Sequence, residues 1–366
     1  MKKRILVLGC TGSIGTNTLD IVRKMSDKFE VAGLSANKSA NELKKLSDEF
    51  NCPATLFSAD GEAGLKALVK NSGADIAVNG VAGAAGLLPS VAVLEQGIDL
   101  ALANKETVVM AYPLVKALAD SNGAKILPVD SEHSAIFNLV ERFGEANIDS
   151  LVITASGGPF RELPREKLAG VRVEDALKHP TWKMGRKITL DSADLANKGL
   201  EVIEACRLFG FPSEKVEVVV HPESLIHSMI RTNDGELYAQ ISEPDMKHPI
   251  LSALTWDSVV ENYLPRFDIT KHSLSFFPPR YDDFPLLKYA FEAARRGKSA
   301  TIAYNAANEV GAYAFLDGKC GFLDIPKIVR TVLDENWNTE PDSIASVLEQ
   351  DARARKIASK ILGDLV

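Results

Sequence analysis

The chain has 366 residues, of which 46% are hydrophobic and 25% are charged, and this composition excludes wholesale disorder, a collagen helix and a coiled coil. Its 42 Lys and Arg residues against 49 Asp and Glu residues give a net charge of −7, which argues against nucleic acid as the main partner. At roughly 100–200 residues per domain, the length predicts two or three domains.

The start of the chain is a predicted β-strand, although a basic run precedes its apolar residues. The apolar stretch Ile5–Leu8 is shorter than the roughly 7–15 residues of a signal-peptide core. No apolar span reaches the roughly 20 residues that cross a bilayer. The four cysteines lie far apart without metal-ligand spacing. We therefore expect a cytoplasmic protein with inert thiols and no membrane contact.

The first 150 residues alternate apolar strands with amphipathic helices. Because the strands are too apolar to have a solvated face, this rhythm predicts an α/β domain with a parallel sheet covered on both sides, a Rossmann-like fold. The predicted strands are Arg4–Leu8, Phe29–Ser35, Ala54–Phe57, Asp75–Asn79, Asp99–Ala103, Lys125–Val129 and Ser150–Thr154. Helices are predicted at Thr16–Lys24, Asn41–Phe50, Thr107–Asp120 and Ser134–Arg142.

The pattern after Ser150 changes to α+β and then to helices alone. Asn233-Asp234-Gly235 predicts a hairpin turn between two strands. The predicted strands are Val216–His221, Leu225–Arg231 and Glu236–Ile241, and the predicted helices are Ala193–Phe209, Leu286–Arg296, Thr301–Leu316, Ile325–Asp334 and Ser343–Leu362. We expect a dinucleotide-binding domain at 1–149, a central α+β catalytic domain at 150–257, a linker at 258–285 and a C-terminal helical bundle at 286–366.

The segment Gly9–Gly15 has the spacing GxxGxxG, directly after the first strand and before a helix. Glycines in such a turn let backbone N–H groups approach a pyrophosphate at the helix N-terminus. This context predicts a dinucleotide site, and the alternative is an unliganded turn. The second strand ends in Leu34–Ser39, which has no acid for a ribose hydroxyl, while Lys38 suits a 2′-phosphate. We therefore expect NADP, against the alternative of an ordinary polar loop.

Two groups of polar side chains occur in contexts that suit a functional site, and the carboxylates of the first group suit a hard divalent cation. Asp130 and Glu132 follow a strand and start a helix, and helix capping is the alternative. Asn197, Lys198 and Glu201 share one face of a helix. For this second group the alternative is a solvated face with a Lys–Glu pair.

Two further segments suit substrate binding. Ser156-Gly157-Gly158 follows a strand and suits an anion, although a plain turn is the alternative. His179–Gly185 contains a proline near one end and a glycine at the other, with Trp182 and Met184 between them. That composition predicts a movable flap over a substrate. Ordinary core packing of Trp182 and Met184 is the alternative.

Taken together, these segments resemble the 1-deoxy-D-xylulose 5-phosphate reductoisomerase family over nearly the whole chain. The segments that carry the resemblance are Gly12–Gly15, Leu102–Glu106, Val129–His133, Ser156–Phe160, His179–Gly185, Asn197–Glu201 and His221–Met229. The chain departs from the family at Cys10, where serine is common, and at Asn37-Lys38-Ser39, where Gly-Lys-Asn is usual.

The resemblance implies an NADPH- and divalent-metal-dependent rearrangement and reduction of 1-deoxy-D-xylulose 5-phosphate to 2-C-methyl-D-erythritol 4-phosphate, in non-mevalonate isoprenoid precursor biosynthesis. It implies that Mg²⁺ or Mn²⁺, with Co²⁺ as a third candidate, binds to Asp130, Glu132 and Glu201. The implied phosphate ligands are Ser156, His179, Ser192, Asn197 and Lys198. Lys105, Ser131 and Glu132 are implied contacts of the rest of the substrate, with Trp182 covering it.

The remaining implied roles concern catalysis and the cofactor. The implied catalytic residues are Lys105, Glu132, His133, His179 and His221, with His133 and His221 as either supporting or acid–base groups. The implied cofactor contacts are Thr11, Gly12, Ser13, Ile14, Asn37, Lys38, Asn104, Glu106 and Gly185. The resemblance also implies a homodimer. Two alternatives stay open: another NADP-dependent dehydrogenase of similar layout, of the homoserine or semialdehyde type, and a non-catalytic NADP-binding sensor.

Overall fold

The computed structural model describes residues 1–182 and 184–365, and the chain forms two compact units. The first unit consists of Met1–Thr107, Pro113–Ser134 and Asp245–Phe267, and the second of Val108–Tyr112, Ala135–Pro244 and Asp268–Val366. Lys183 and Val366 lie outside the described residues. Among the helices that the structure describes, none has the length and apolar character needed to traverse a bilayer.

The secondary structure alternates strands and helices up to β7 and becomes helical toward the C-terminus. The strands are β1 (Lys3–Leu8), β2 (Phe29–Ala36), β3 (Ala54–Leu56), β4 (Ile76–Asn79), β5 (Asp99–Leu102), β6 (Ile126–Pro128), β7 (Ile148–Ala155), β8 (Val216–Val220), β9 (Ile226–Thr232) and β10 (Leu237–Ile241). The helices are α1 (Ser13–Lys24), α2 (Ala40–Phe50), α3 (Phe57–Ser72), α4 (Leu87–Leu94), α5 (Lys105–Asn122), α6 (Ser131–Phe143), α7 (Val173–Ala176), α8 (Arg186–Ala193), α9 (Ala196–Phe209), α10 (Lys247–Leu254), α11 (Leu286–Arg296), α12 (Ala300–Leu316), α13 (Asp324–Leu333) and α14 (Ile344–Leu365).

Strands β1–β6 of the first unit form one parallel sheet in the order β3-β2-β1-β4-β5-β6. This sheet confirms the Rossmann-like fold expected from the apolar strands. Ile5–Leu8 of β1 and all of β4 are buried, as expected for a parallel sheet with helices on both faces. The strand order reverses between β1 and β4, and such sheets bind ligands beside the carboxyl ends of their strands at that point.

The sequence pattern does not predict helices α3 and α4 of the first unit, for two different reasons. α3 contains Gly61 at φ 62°, which interrupts the helix near its start and disturbs the apolar period. α4 is buried from Pro89 to Leu94, so it has no polar face. Because amphipathic periodicity is the signal that marks a helix in a sequence, a helix without it is not predicted.

The second unit contains a four-stranded sheet in the order β10-β9-β7-β8. β7 and β8 are parallel, whereas β9 runs antiparallel to both β7 and β10. The expected hairpin at Asn233-Asp234-Gly235 is confirmed, with Leu237 opposite Arg231. Gly235 adopts φ 88°, which glycine reaches without steric cost. The mixed sheet confirms the expected α+β region.

The C-terminal helices of the second unit share a hydrophobic core with its sheet. This core joins Leu151 of β7, Ile203 of α9, Leu287 of α11 and Ala307 of α12. α12 is buried along nearly its whole length, because α11, α13 and α14 pack around it. The C-terminal helices therefore pack on α9, which itself contacts β7 and β8, rather than only against one another.

The units divide the chain differently from the four expected parts. Residues 135–149 belong to the second unit, and residues 245–257 belong to the first. In the first unit, Lys247 of α10 lies 3.2 Å from Asp20 of α1, so this late segment packs on an early helix. The expected linker splits, with 258–267 in the first unit and 268–285 in the second.

The turn between β1 and α1 depends on glycine at two positions. Gly9 adopts φ 80°, and a Cβ on Gly15 would lie only 2.4 Å from the Cα of Cys10 and from the Gly9 carbonyl oxygen. α1 begins at Ser13, after the N-cap residue Gly12, and no side-chain hydrogen bond caps this helix. The turn therefore presents a helix N-terminus at close range, as the predicted dinucleotide loop requires.

We expect Gly15→Ala to lower the free energy of unfolding by about 2 kcal/mol, because its methyl group would overlap backbone atoms of the turn. Urea unfolding measures this change. Gly170→Ala is the control, since no atom lies within 4 Å of a Cβ at that position. Equal stability of the two variants would contradict the close approach of α1 to the turn.

Candidate functional site

The carboxyl end of β2 lies beside the glycine turn. The Ser35 carbonyl oxygen accepts hydrogen bonds from the N–H groups of Gly9 at 3.0 Å and Cys10 at 2.9 Å. Ser35 is buried, and the chain then becomes exposed at Asn37 and Lys38. An exposed lysine at this place suits a 2′-phosphate, and the contacts of Asn37 and Lys38 with a cofactor stay a prediction.

Burial favours the protonated form of the four described thiols. Cys10 occupies the glycine turn and is fully buried, and burial raises its pKa to about 12. Burial likewise raises the pKa of Cys206 to about 12 and those of Cys52 and Cys320 to about 11. The thiolate is the nucleophilic form, so these cysteines are nearly inert at neutral pH. This agrees with the inert thiols expected from the sequence.

A buried amide, Asn104, fixes the end of β5. Its Nδ2 donates to the carbonyl oxygens of Val81 and Gly83 and to Glu106 Oε2, each at 2.8 Å. Its Oδ1 accepts from the Thr107 N–H at 3.0 Å and so caps α5. Asn104 therefore ties two loops at the carboxyl edge of the sheet, where the sequence predicts the cofactor.

Charged side chains meet where β6 ends and α6 begins. Lys105, at the start of α5, forms a buried ion pair with Asp130. His133 is fully buried, and its Nδ1 lies 3.8 Å from Asp130 Oδ2. The Ser131 hydroxyl donates to Glu132 Oε2 at 2.6 Å. The structure thus brings these five predicted residues together, and helix capping alone does not account for the buried Lys105.

The loop after β7 carries Ser156 and two glycines in the left-handed region. Gly157 adopts φ 79° and Gly158 φ 67°. A Cβ on Gly158 would lie 2.4 Å from the Ser192 carbonyl oxygen, so the loop rests directly against the end of α8. Two predicted phosphate ligands, Ser156 and Ser192, are therefore on adjoining segments of the second unit.

His179 forms a hydrogen bond with Ser156 and has a fixed tautomer. Its Nδ1 accepts from the N–H groups of Thr181 at 3.1 Å and Trp182 at 2.9 Å, so the ring proton is on Nε2. Nε2 donates to Ser156 Oγ at 3.0 Å, and the Gly158 N–H donates to the same oxygen at 3.3 Å. Burial lowers the pKa of His179 to about 4, so the ring is neutral. The Ser156 hydroxyl therefore has its own hydrogen to donate to an anion.

The predicted flap has no regular secondary structure in its described residues. Trp182 is half-buried, and its ring centroid lies 6.3 Å from that of His227. Met184 is also half-buried, and Gly185 is the N-cap of α8. Lys183 lies outside the described residues. The half-buried Trp182 is not a core residue, and the movement of the flap stays a prediction.

The predicted polar face of α9 is present and buried. Lys198 forms an ion pair with Glu201, and Asn197 Nδ2 donates to Glu201 Oε1 at 2.5 Å. Lys198 is only 4% exposed and Glu201 is 0% exposed. The alternative of a solvated Lys–Glu pair is therefore wrong, because water does not reach these charges.

His221 has hydrogen-bond partners on both ring nitrogens. Its Nε2 accepts from the Leu225 N–H at 3.1 Å, and its Nδ1 lies 2.9 Å from the Ser275 carbonyl oxygen. The ring is fully buried and stacks on Phe276. Of the two roles expected for His221, this geometry favours the supporting one.

Two buried acids flank Ser192 and are absent from the sequence-based set of site residues. Asp191 lies 2.6 Å from Lys187, and Asp194 Oδ1 accepts from the Ala196 N–H at 2.9 Å. No local signal marks them, because their burial depends on a helix that is distant in the chain, and Asp191 accepts from Asn308 Nδ2 of α12 at 3.2 Å. Acids in such a place need partners.

Family models match most of the chain. The model described as 1-deoxy-D-xylulose 5-phosphate reductoisomerase matches residues 5–60 and 52–112. The model of the C-terminal domain of the same enzyme matches residues 126–209, and a second model described as DXP reductoisomerase C-terminal domain matches residues 241–357.

Full-length relatives and solved structures agree with these matches. The 1-deoxy-D-xylulose 5-phosphate reductoisomerase of Treponema denticola is 49% identical, covering 98% of this chain and 96% of the relative, and that of Chlorobaculum tepidum is 43% identical, covering 99% and 100%. The Zymomonas mobilis enzyme in complex with NADPH superposes with a TM-score of 0.90 at 37% identity, over 99% of both chains. A reductoisomerase in complex with NADPH, fosmidomycin and magnesium gives 0.90 at 35% identity, over 99% of this chain and 98% of that one.

We expect the free energy of unfolding to fall as the pH drops from about 6.5 to about 4, in part because of His179. In this window the unfolded chain binds a proton on His179 that the folded chain excludes. His179→Gln should lose this part of the decrease while keeping an N–H donor for Ser156. Urea unfolding of both proteins at several pH values measures the difference, and parallel pH profiles would contradict a neutral His179.

Proposed function

This chain belongs to the 1-deoxy-D-xylulose 5-phosphate reductoisomerase family, and we propose that the residues described above perform the family's reaction. The protein is an NADPH- and divalent-metal-dependent enzyme. It converts 1-deoxy-D-xylulose 5-phosphate to 2-C-methyl-D-erythritol 4-phosphate in non-mevalonate isoprenoid precursor biosynthesis. A dehydrogenase of the homoserine or semialdehyde type does not account for family matches that extend along the chain.

The observation that carries the proposal is the buried polar face of α9. Glu201 is kept from water with Lys198 and Asn197 as its partners. Burying charged groups is costly, and replacing such a pair by apolar residues is often neutral or stabilising. A protein that only binds a dinucleotide has no use for this face, so its presence favours an enzyme over a non-catalytic sensor.

The phosphate group of the substrate is assigned to the second unit. Ser156 offers its hydroxyl hydrogen, because neutral His179 and the Gly158 N–H already donate to its oxygen. Ser192 lies against the Ser156 loop, and Lys198 supplies positive charge at the start of α9. Binding energy from this anchor is available to orient the reacting end of the substrate.

The divalent metal is assigned to Asp130, Glu132 and Glu201. Carboxylate oxygens are the donors that Mg²⁺ and Mn²⁺ prefer, so the residues present fit the ion. When bound, the ion supplies Lewis-acid polarisation of the substrate's ketone and hydroxyl oxygens. Lys105 and Lys198 balance the charges of Asp130 and Glu201 within their units. Lys105 and Ser131 are assigned to the substrate hydroxyls, and His133 supports Asp130.

NADPH is assigned to the carboxyl edge of the parallel sheet. The turn Thr11–Ile14 takes the pyrophosphate at the N-terminus of α1, and Asn37 and Lys38 take the 2′-phosphate. Asn104 and Glu106 hold the loops at the ends of β4 and β5, and Gly185 is a further cofactor contact. The absence of an acid between Ser35 and Ser39 supports NADPH rather than NADH.

The flap is assigned the role of covering the substrate. Its backbone N–H groups at Thr181 and Trp182 donate to His179, the histidine that also contacts Ser156. A flap tied to a phosphate ligand can respond to phosphate binding. Closure of such a segment expels water and shields a reactive intermediate before hydride transfer.

A homodimer in the cytoplasm completes the proposal. The resemblance supports the dimer, and the second unit exposes two neighbouring aromatic side chains, Phe276 and Phe277, at 44% and 54%. The thiols without disulfide partners support a reducing compartment. In this assignment the first unit binds the dinucleotide and the second binds the phosphate group of the substrate.

NADPH oxidation at 340 nm tests the function. We expect oxidation that requires both 1-deoxy-D-xylulose 5-phosphate and Mg²⁺ or Mn²⁺, with NADPH preferred to NADH by at least about tenfold in kcat/KM. Homoserine and aspartate semialdehyde are the control substrates. Oxidation that does not depend on the sugar phosphate, or equal use of NADH, would contradict the proposal.

We expect Glu201→Gln to lower kcat by at least about a hundredfold, because it removes a ligand charge and keeps the side-chain shape. NADPH binding, followed by fluorescence, should be unchanged. Glu141→Gln is the charge-matched control, since it removes an exposed carboxylate from α6. If turnover of Glu201→Gln at saturating Mn²⁺ stays within about twofold of the wild type, Glu201 is not a metal ligand.

A further inference from the structure

The junction between α8 and α9 contains a backbone conformation that is unusual for its residue. α8 ends at Ala193 and α9 begins at Ala196, and between them Leu195 adopts φ 62° and ψ 14°. Leu195 is only 3% exposed. A side chain with a Cβ disfavours this left-handed region, so such a residue persists only where its surroundings hold it.

Asp194 closes the turn across Leu195. Its Oδ1 accepts a hydrogen bond from the Ala196 N–H at 2.9 Å, which spans the left-handed residue. The Asp194 N–H donates to the Leu190 carbonyl oxygen at 3.2 Å, and the Gly199 N–H donates to that of Leu195 at 3.0 Å. The Asp194 carboxyl group is therefore the side-chain link that joins the end of one helix to the start of the next.

The predicted phosphate ligands are arranged around this turn. Ser192 lies two residues before Asp194, and Asn197 lies three residues after it. The Ser156 loop rests on the same turn, since a Cβ on Gly158 would lie 2.9 Å from the Cα of Ala193. Any change in the turn thus alters the spacing between Ser192 and Asn197 and the support of the loop.

Asp194 is buried more deeply than a residue that only caps a helix needs to be. Asp194 is 3% exposed, and its Oδ2 is buried with no hydrogen-bond partner among the described residues. Burial and the nearby charge of Asp191 raise its pKa well above the usual value. Asp191 itself is bonded to Lys187 at 2.6 Å and to Asn308 Nδ2 at 3.2 Å. A neutral carboxyl group at this position resembles an amide in shape and hydrogen bonding.

We propose that Asp194 is a positioning residue for the phosphate group of the substrate, because its carboxyl group holds the Leu195 turn that spaces Ser192 from Asn197. The inference rests on the proposed function, since it takes these residues as phosphate ligands. Asp194 acts through the turn and does not itself contact the phosphate.

Two substitutions at one position separate the loss of the acceptor oxygen from the loss of the carboxyl group. We expect Asp194→Ala to raise the KM for 1-deoxy-D-xylulose 5-phosphate about tenfold, the size expected for loss of a helix-cap hydrogen bond. The KM for NADPH should be unchanged, and kcat should change less than about threefold. Asp194→Asn keeps an acceptor oxygen for the Ala196 N–H, so its KM should stay within about twofold of the wild type.

A matched control distinguishes positioning from stability alone. Asp351→Ala removes another carboxylate of the second unit, one that accepts from Arg355 at 2.7 Å on α14. It should lower the melting temperature and leave the KM for the sugar phosphate unchanged. If Asp194→Ala does not fold, Asp194→Leu removes the same acceptor and fills the space, and the same increase in KM is expected.

A normal KM in a folded Asp194→Ala or Asp194→Leu variant would overturn the proposal, as would an equal increase in Asp194→Asn. The proposed function fails in a different way. If the wild-type protein does not oxidise NADPH with the sugar phosphate, the assignment of the enzyme is wrong, and the variants are not needed to show it.

Discussion

Buried charges need partners, and this constraint governs the polar sites of both units. Lys105 pairs with Asp130 in the first unit, and Lys198 pairs with Glu201 in the second. An ion taken out of water without a partner is costly, so each lysine stabilises the carboxylate that it contacts. These pairs let each unit hold an acidic side chain in surroundings with little water.

The same constraint explains what could be predicted from the sequence. The apolar strands of the first unit identify a parallel sheet, because burial on both faces removes polar residues from strands such as β1 and β4. The motifs at Asp130, Ser156 and Asn197 predict a site, because carboxylates and hydroxyls beside glycines and helix ends are characteristic of ligand binding. Periodicity was therefore sufficient for the Rossmann-like fold, and local chemistry supplied the residues of the proposed site.

Long-range packing could not be predicted in this way. The sequence shows that residues 286–366 are helical, but it does not show that α11 packs on α9, because any amphipathic helix offers a similar face. The placement of Asp245–Phe267 in the first unit depends on contacts such as that between Lys247 and Asp20, which lie far apart in the chain. The burial of Asp194 depends on α12, about a hundred residues away, and so no local pattern reveals it.

The unreactive thiols have a practical consequence for spectroscopy. Each of the four cysteines has a pKa raised by burial to about 11 or 12, so a maleimide or a disulfide-forming probe meets almost no thiolate at neutral pH. A cysteine introduced at an exposed position of the flap, for example at Pro180, would react far faster than the native ones. A fluorophore or a spin label can thus be attached to a single site without first removing the natural cysteines, and Cys10 can stay in its place in the glycine turn.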